Sequence, residues 1–223
     1  MEKGRYTRQI IAKEMINMVC IQETKMANIT TEKCQVNWGD TNIGWVHNET
    51  ENGVGGILSI WSNSKFILRK SIINKVFIVI EGEWGDSKQT ITIVNVYSPR
   101  ELNKRMAMWE EISKCRKDDN NKVWCMVGDF NAIRNPKEMI GLSQSSGNLK
   151  EMAQFNLFID NVDLLHIPMI GRKYMWYITN GTAKNILDRI LVSHEWLELW
   201  PKSEKYVLDR TILDHCALVC KNS

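Results

Sequence analysis

Two acidic residues stand just past apolar, β-rich runs: Glu23 follows Val19-Cys20-Ile21, and Asp129 follows Val127-Gly128. In α/β sheets the carboxyl ends of strands are where ligands bind, because short polar side chains converge there without disturbing the core. Two carboxylates so placed can share a cation. Asp129 and Asn131 are two residues apart, so on an extended backbone an acid and an amide point the same way. Gly128 between strand and acid leaves room for a ligand or another backbone. Asp214-His215 sets an acid beside the side chain best suited to exchanging a proton near neutral pH. Each feature also has a plainer reading. Asp129-Phe130-Asn131 reads as a turn, Glu23 as a solvated acid paired with Lys25, and Asp214-His215 as a strand entry. Tyr97 reads as a half-buried strand aromatic and Asp188-Arg189 as an exposed pair on a strand.

These residues need elements to position them. Ile10, Ile11, Met15 and Ile16 have helical spacing and lead into a strand at Val19-Cys20-Ile21. Apolar β-rich runs recur at Val54 to Trp61, Val76 to Ile80, Ile91 to Tyr97 and Val123 to Val127. The last is apolar throughout, as for a strand covered on both faces. Ser98-Pro99 ends one strand, and Leu102, Met106, Trp109 and Ile112 then mark the apolar face of a helix. A further helix spans Asn148 to Ile159, with Asn148 as its N-cap and Glu151 three residues later. Strands follow at Tyr174 to Ile178, Ile186 to Val192 and Ala217 to Cys220, with Asn180-Gly181 as hairpin chemistry. Strands interspersed with helices indicate an α/β protein rather than a helical bundle. No repeat, linker or boundary divides the chain, so a single domain over residues 1–223 is expected.

Composition narrows the classes without choosing one. Hydrophobic residues at 43% and charged residues at 25% are those of an ordinary globular protein. A net charge of +3 permits a polyanionic partner without demanding one. The six cysteines contain no C-x-x-C pair, which disfavours zinc. With no signal-like start and no long apolar window, the expected setting is intracellular, nuclear or cytoplasmic, without a membrane span.

Taken in order, Ile21-Gln22-Glu23-Thr24-Lys25, Asn95-Val96-Tyr97-Ser98-Pro99, Gly128-Asp129-Phe130-Asn131, Leu187-Asp188-Arg189-Ile190-Leu191-Val192-Ser193 and Asp214-His215-Cys216 resemble the endonuclease/exonuclease/phosphatase superfamily. Gly55-Gly56-Ile57-Leu58, Asp163-Leu164 and Gly171-Arg172 bring the chain nearer to plant LINE-type retrotransposon endonucleases than to phosphoinositide phosphatases or sphingomyelinases. The resemblance implies a four-layered α/β/β/α sandwich of two mixed sheets. It matches Glu23 to the principal Mg²⁺ ligand (with Mn²⁺ as a substitute) and Asp214 to a further metal-side carboxylate. Asp129 with Asn131 matches the pair that orients the attacking water and contacts the scissile phosphate. His215 matches the catalytic histidine, held by Asp188, and Tyr97 a tyrosine that hydrogen-bonds the phosphate. Arg105 matches a phosphate-contacting arginine. Trp176, beside the Asn180-Gly181 hairpin, reads equally as a rim aromatic and as a DNA contact, with Lys173 and Lys184 serving the DNA backbone. The implied partner is DNA, nicked by a monomer to leave a 3′-hydroxyl.

The sequence departs from that pattern in two places. The family begins with a strand carrying an asparagine, and this chain aligns from after it; Leu213 stands where a serine usually precedes Asp-His. A domain truncated at its first strand, with no reverse transcriptase attached, is therefore expected. Two alternatives stay open beside a metal-dependent DNA-nicking endonuclease. One is a catalytically inactive retrotransposon remnant with residual nucleic-acid binding, the other a small-molecule or lipid phosphoester hydrolase of the same fold.

Overall fold

A computed structural model describes residues 2–26, 28–48, 55–85, 88–140, 146–167, 169–170, 176–177, 184–208 and 216–222. They form an α/β structure with two compact units, Met1–Tyr97 and Ser98–Ser223.

The first unit runs α1 (Glu2–Glu14), β1 (Met18–Gln22), α2 (Thr31–Trp38), β2 (Ile43–His47), β3 (Ile57–Ser62), β4 (Phe66–Ile73), β5 (Phe77–Trp84) and β6 (Gln89–Tyr97). An antiparallel sheet of order β1-β3-β2 packs against the antiparallel ladder β4-β5-β6. Outside the first sheet, Ile11 of α1 and Cys34 and Trp38 of α2 join Ile43, Leu58 and Ile60 in one apolar cluster. Helix α2 is short, and its ends are chemically marked. The Thr30 side chain accepts a hydrogen bond from the Lys33 N–H, and Gly39, at φ 97, donates its N–H to the Gln35 carbonyl. Helix α1 begins well before Ile10 and ends at Glu14, so the expected Ile10–Ile16 segment is the end of a longer helix.

The second unit runs α3 (Leu102–Asp118), β7 (Trp124–Asp129), β8 (Met139–Ile140), α4 (Ser146–Val162), β9 (Leu165–His166), β10 (Met169–Ile170), β11 (Trp176–Tyr177), β12 (Lys184–Asn185), β13 (Asp188–Val192), α5 (His194–Leu199), β14 (Glu204–Val207) and β15 (Leu218–Lys221). Strands β7, β13 and β9 are neighbours in one antiparallel ladder, with β10-β14-β15 as a separate sheet. Helices α3 and α4 meet through aromatic rings: Trp109 stacks on Phe158 at 5.6 Å and 14°, and lies 5.5 Å from Phe155.

Two local expectations are corrected here. The buried face of α3 is Arg105, Met108, Trp109 and Ile112, while Met106 is exposed. A buried arginine replaces the expected methionine because its guanidinium has fixed partners, described below. Asn148 lies inside α4, which begins at Ser146, so it does not cap the helix; Glu151 instead bonds Arg105.

Candidate active site

The second unit holds two carboxylates side by side. Asp188, the first residue of β13, is registered directly opposite Asp129, the last of β7. Both are buried, at 8% and 7% exposure. Directly opposed residues have Cβ atoms about 4.5–5.5 Å apart on one sheet face. Two full charges at about 5 Å repel by about 3 kcal/mol at an effective dielectric near 20. Such a pair persists only where hydrogen-bond donors or a cation offset that repulsion. The reading of Asp188-Arg189 as an exposed pair is thus overturned, since Arg189 is only 2% exposed. Arg189 is held inside by Glu138 and by the Ala132 and Ile186 carbonyls, partners that its residue type does not reveal.

Donors converge on Asp129. The Asn131 backbone N–H reaches its Oδ1 at 2.9 Å, and the Ser98 N–H reaches its carbonyl at 2.8 Å. Asn131 adopts φ 47, a left-handed conformation that asparagine tolerates better than most residues. Its Nδ2 donates to the Ser98 carbonyl at 2.6 Å, fixing the amide plane while leaving its second N–H for a ligand among the described residues. The turn reading of Asp129-Phe130-Asn131 thus holds, and the turn is what orients the Asn131 amide.

Arg105 sits behind this loop. Its guanidinium donates to the Asn131 carbonyl at 2.6 Å and pairs with Glu151, and the side chain is 3% exposed. Burial lowers its pKa, with the charge of Asp129 acting in the opposite direction. In this geometry Arg105 braces the loop that carries Asn131. Its Nε is buried without a hydrogen-bond partner among the described residues, as is Ser98 Oγ.

The first unit presents Glu23 on a strained turn after β1. Glu23 and Lys25 both have φ 53, and the turn is tied to a glycine pair by Thr24 N–H to Gly56 O at 3.1 Å and Lys25 N–H to Gly55 O at 2.9 Å. Glu23 pairs with Lys25 at 3.2 Å, with about half of each side chain exposed. Gly55, at φ 77, lies against the Tyr97 ring, where an added Cβ would stand 3.7 Å from Cε1. Tyr97 is half-buried, as expected. Beneath it, Asn95 is 1% exposed and links the unit's two sheets. Its Nδ2 donates to Leu58 O and Ser59 Oγ, both at 3.1 Å, and its Oδ1 accepts from Gln22 Nε2 at 2.6 Å.

Asn95, Gln22 and Ser98 stand in the motifs quoted above, but no role in the site was assigned to them from the sequence. The available signal was one amide inside the apolar run Ile91 to Val96, which a buried strand tolerates only if every polar atom is bonded.

Asp214, His215, Lys173 and Asn180-Gly181 lie outside the described residues, as do the side chains of Trp176 and Lys184. In the backbone, Trp176 pairs with Asn185 and Tyr177 with Lys184, antiparallel. Among the described residues no three His, Cys, Asp or Glu group as a metal site. The described strand-end acids offer oxygen donors alone, the chemistry that Mg²⁺ prefers. Among the described residues no helix is long and apolar enough to cross a membrane.

No protein-family model matches the chain, and no curated protein matches it in sequence. Solved structures do match. The AP endonuclease LMAP of Leishmania major superposes with a TM-score of 0.74 at 14% identity, over 97% of this chain and 81% of that one. The APE2 catalytic domain of Xenopus laevis gives 0.68 at 12% identity, over 97% and 89%. The endonuclease domain of TRAS1, a telomere-specific non-LTR retrotransposon, gives 0.68 at 13%, over 98% and 91%. The chain has the endonuclease/exonuclease/phosphatase fold. That fold is the α/β sandwich expected from the sequence, and proteins named as nucleases recur among its holders. In the endonuclease/exonuclease/phosphatase fold of this chain, Asp129, Asn131 and Asp188 lie together at one end of the β7-β13 ladder.

Proposed function

We propose that residues 1–223 act as one domain, a divalent-metal-dependent phosphodiesterase that nicks DNA and derives from a LINE-type retrotransposon. The observation that carries this reading is the registered, buried pair Asp129 and Asp188. Buried like charges are costly, and sites that handle protons and phosphates are where that cost is tolerated.

In this reading Glu23 and Asp214 would hold Mg²⁺, or Mn²⁺ in its place. When bound, the ion supplies Lewis-acid stabilisation of charge on a phosphoryl oxygen. The chain's own groups do the rest. Asp129 accepts a hydrogen bond from the attacking water and takes its proton as the water oxygen bonds to phosphorus and the P–O3′ bond breaks. The departing 3′-oxygen takes a proton from solvent, while Asn131 donates its remaining amide hydrogen toward the phosphate. Asp188 fixes the ring of His215 and favours its protonated form, so that the imidazolium donates to a phosphate oxygen. Tyr97 donates its hydroxyl to the same group. Arg105 acts on the phosphate indirectly, by bracing Asn131. Trp176, Lys173 and Lys184 contact the DNA strand, the lysines setting affinity rather than sequence choice. The protein works as a nuclear or cytoplasmic monomer.

The test is nicking of supercoiled plasmid with Mg²⁺ by wild type and by Glu23→Ala and His215→Ala, after circular dichroism has established folding. Activity lost in both variants supports the reading. A folded but inert wild type that binds DNA in a salt-sensitive way overturns it in favour of an inactive remnant. Turnover of a soluble phosphoester without nicking overturns it in favour of a small-molecule or lipid phosphoester hydrolase.

A further inference from the structure

The second unit has a polar cavity of about 450 Å³ lined by Arg134, Asn135, Glu138, Asn156, Asp160 and His166. It belongs to the other face of the β7-β13-β9 ladder from the Asp129–Asp188 pair. Successive strand residues point to opposite faces, so Arg189 points away from Asp188, and its Cζ lies 5.2 Å over the Phe155 ring of α4, the helix that also supplies Asn156 and Asp160.

The polar groups around this cavity divide into satisfied and unsatisfied ones. Glu138 is satisfied: its Oε2 accepts from Arg189 Nη2 at 2.6 Å and from the Arg134 backbone N–H at 2.7 Å. Arg189 gives Nη2 also to Ala132 O at 2.9 Å and Ile186 O at 3.0 Å, while its Nε is buried without a hydrogen-bond partner among the described residues. Arg134 is held by its inner nitrogen, Nε donating to Asn156 Oδ1 at 2.7 Å, while Asn156 Nδ2 returns a bond to the Arg134 carbonyl at 3.0 Å. That clamp presents the outer guanidinium nitrogens, which have no hydrogen-bond partner among the described residues. Lys205, 4% exposed, has no hydrogen-bond or ion-pair partner among them either. His166 Nε2 is buried and has none.

A buried imidazole nitrogen with no partner, among cations held without a full set of counter-charges, is a costly arrangement that a bound anion would offset. Burial first, then the charges of Arg189, Arg134 and Lys205, push the His166 pKa down to about 3. Burial, with Arg189 second, lowers that of Lys205 to about 8. Against three cations stand Glu138, already bonded to Arg189, and Asp160 on the cavity wall. One carboxylate beside a cationic corner suits a ligand that is anionic at one end and carries hydroxyl donors at the other.

We propose that this cavity binds a small hydroxyl-bearing phosphate monoester, a sugar phosphate or nucleoside monophosphate. The Arg134 guanidinium and the His166 Nε2–H hydrogen-bond its phosphate, Lys205 supplies charge, and Asp160 and Asn135 accept from its hydroxyls. The site does not depend on the proposed DNA chemistry, because none of its side chains is assigned a role there.

The experiment is calorimetric titration of wild type, Lys205→Met and Asp160→Asn, in metal-free buffer, with inorganic phosphate and separately with ribose 5-phosphate. The expected result is saturable binding of both. Lys205→Met, which removes a buried positive charge acting on His166 from behind the cavity wall, should weaken both by several fold. Asp160→Asn should weaken ribose 5-phosphate by several fold without weakening inorganic phosphate. In NMR spectra the His166 ring resonances should move on addition of either ligand. His166→Asp, which places a carboxylate among the cations, should raise the urea midpoint and abolish phosphate binding, so it reports even where Lys205→Met fails to fold. No saturable binding up to about 10 mM, a free energy of roughly −3 kcal/mol, overturns the site. So does binding that survives His166→Asp unchanged. Unchanged ribose 5-phosphate affinity in Asp160→Asn overturns the assignment of the hydroxyl-bearing ligand.

Discussion

Asp188 faces Asp129 across the β13-β7 ladder, two buried carboxylates in direct register at the strand ends. Stability and activity should therefore pull in opposite directions there. Asp129→Asn keeps the oxygen that accepts the Asn131 N–H and removes one charge. It is expected to stabilise the fold by about 1–2 kcal/mol in urea denaturation, because the relieved repulsion is partly offset by the lost attraction to Arg105. Plasmid nicking should fall by about 100-fold or more. A destabilised Asp129→Asn would mean that the pair is already neutralised in the free protein.

Glu23 gives a sharper separation. Its left-handed backbone, at φ 53, costs a residue with a Cβ free energy that glycine does not lose. Its exposed pairing with Lys25 returns little. Glu23→Gly is expected to melt at the same denaturant concentration or higher, a gain of up to about 1 kcal/mol offset by the freer unfolded chain. Mg²⁺-dependent nicking should be lost. Retained nicking would remove Glu23 from the metal site.

Asn95 is the polar link inside the first unit's sandwich. Asn95→Leu strands the Leu58 carbonyl, Ser59 Oγ and Gln22 amide that it bonds, an expected loss of about 2–4 kcal/mol. Removing the Gln22 amide as well, in Gln22→Leu/Asn95→Leu, should restore part of that loss. A double-mutant cycle in urea would measure the coupling.

His166 sets a pH dependence. Its folded pKa, near 3, lies below the ordinary value of 6.5, so below pH 6.5 the unfolded chain binds the proton more readily. Stability should fall as pH drops from 6.5 towards 3, by at most about 5 kcal/mol from this group. His166→Gln should show a shallower acid limb than wild type in urea midpoints measured from pH 7 to 4. Parallel limbs would show that the ring is not shielded from protonation.

Much of this was legible in the sequence, and the parts that were not share a cause. Strands β6, β7 and β13 and helix α3 are apolar enough to declare themselves, and the acids Glu23 and Asp129 stand at strand ends as read. Helix α2 buries only Cys34 and Trp38, and β4 buries Phe66 while most of its other residues are exposed. β14 is a strand that buries a lysine. None of these carries a strong hydrophobic period. The pairing of Asp129 with Asp188 is long-range register, which local pattern cannot specify. The burial of Arg105 and Arg189 rests on carboxylate and carbonyl partners far along the chain. Sequence spacing located the carboxylates at the strand ends, but not the groups that hold them in place.

The alternation of charge along β13 also acts as a proofreading device during folding. If β13 slipped by one residue against β7, Arg189 would turn to the face now occupied by Asp188, and a carboxylate would be driven against the ring of Phe155. Such a misaligned chain would lose the Glu138 clamp on Arg189 and leave two charges buried without partners. A strand of leucines and valines would leave misalignment to be rejected by packing alone. Here a one-residue slip carries an electrostatic penalty, so the ladder that places the carboxylates resists closing out of step.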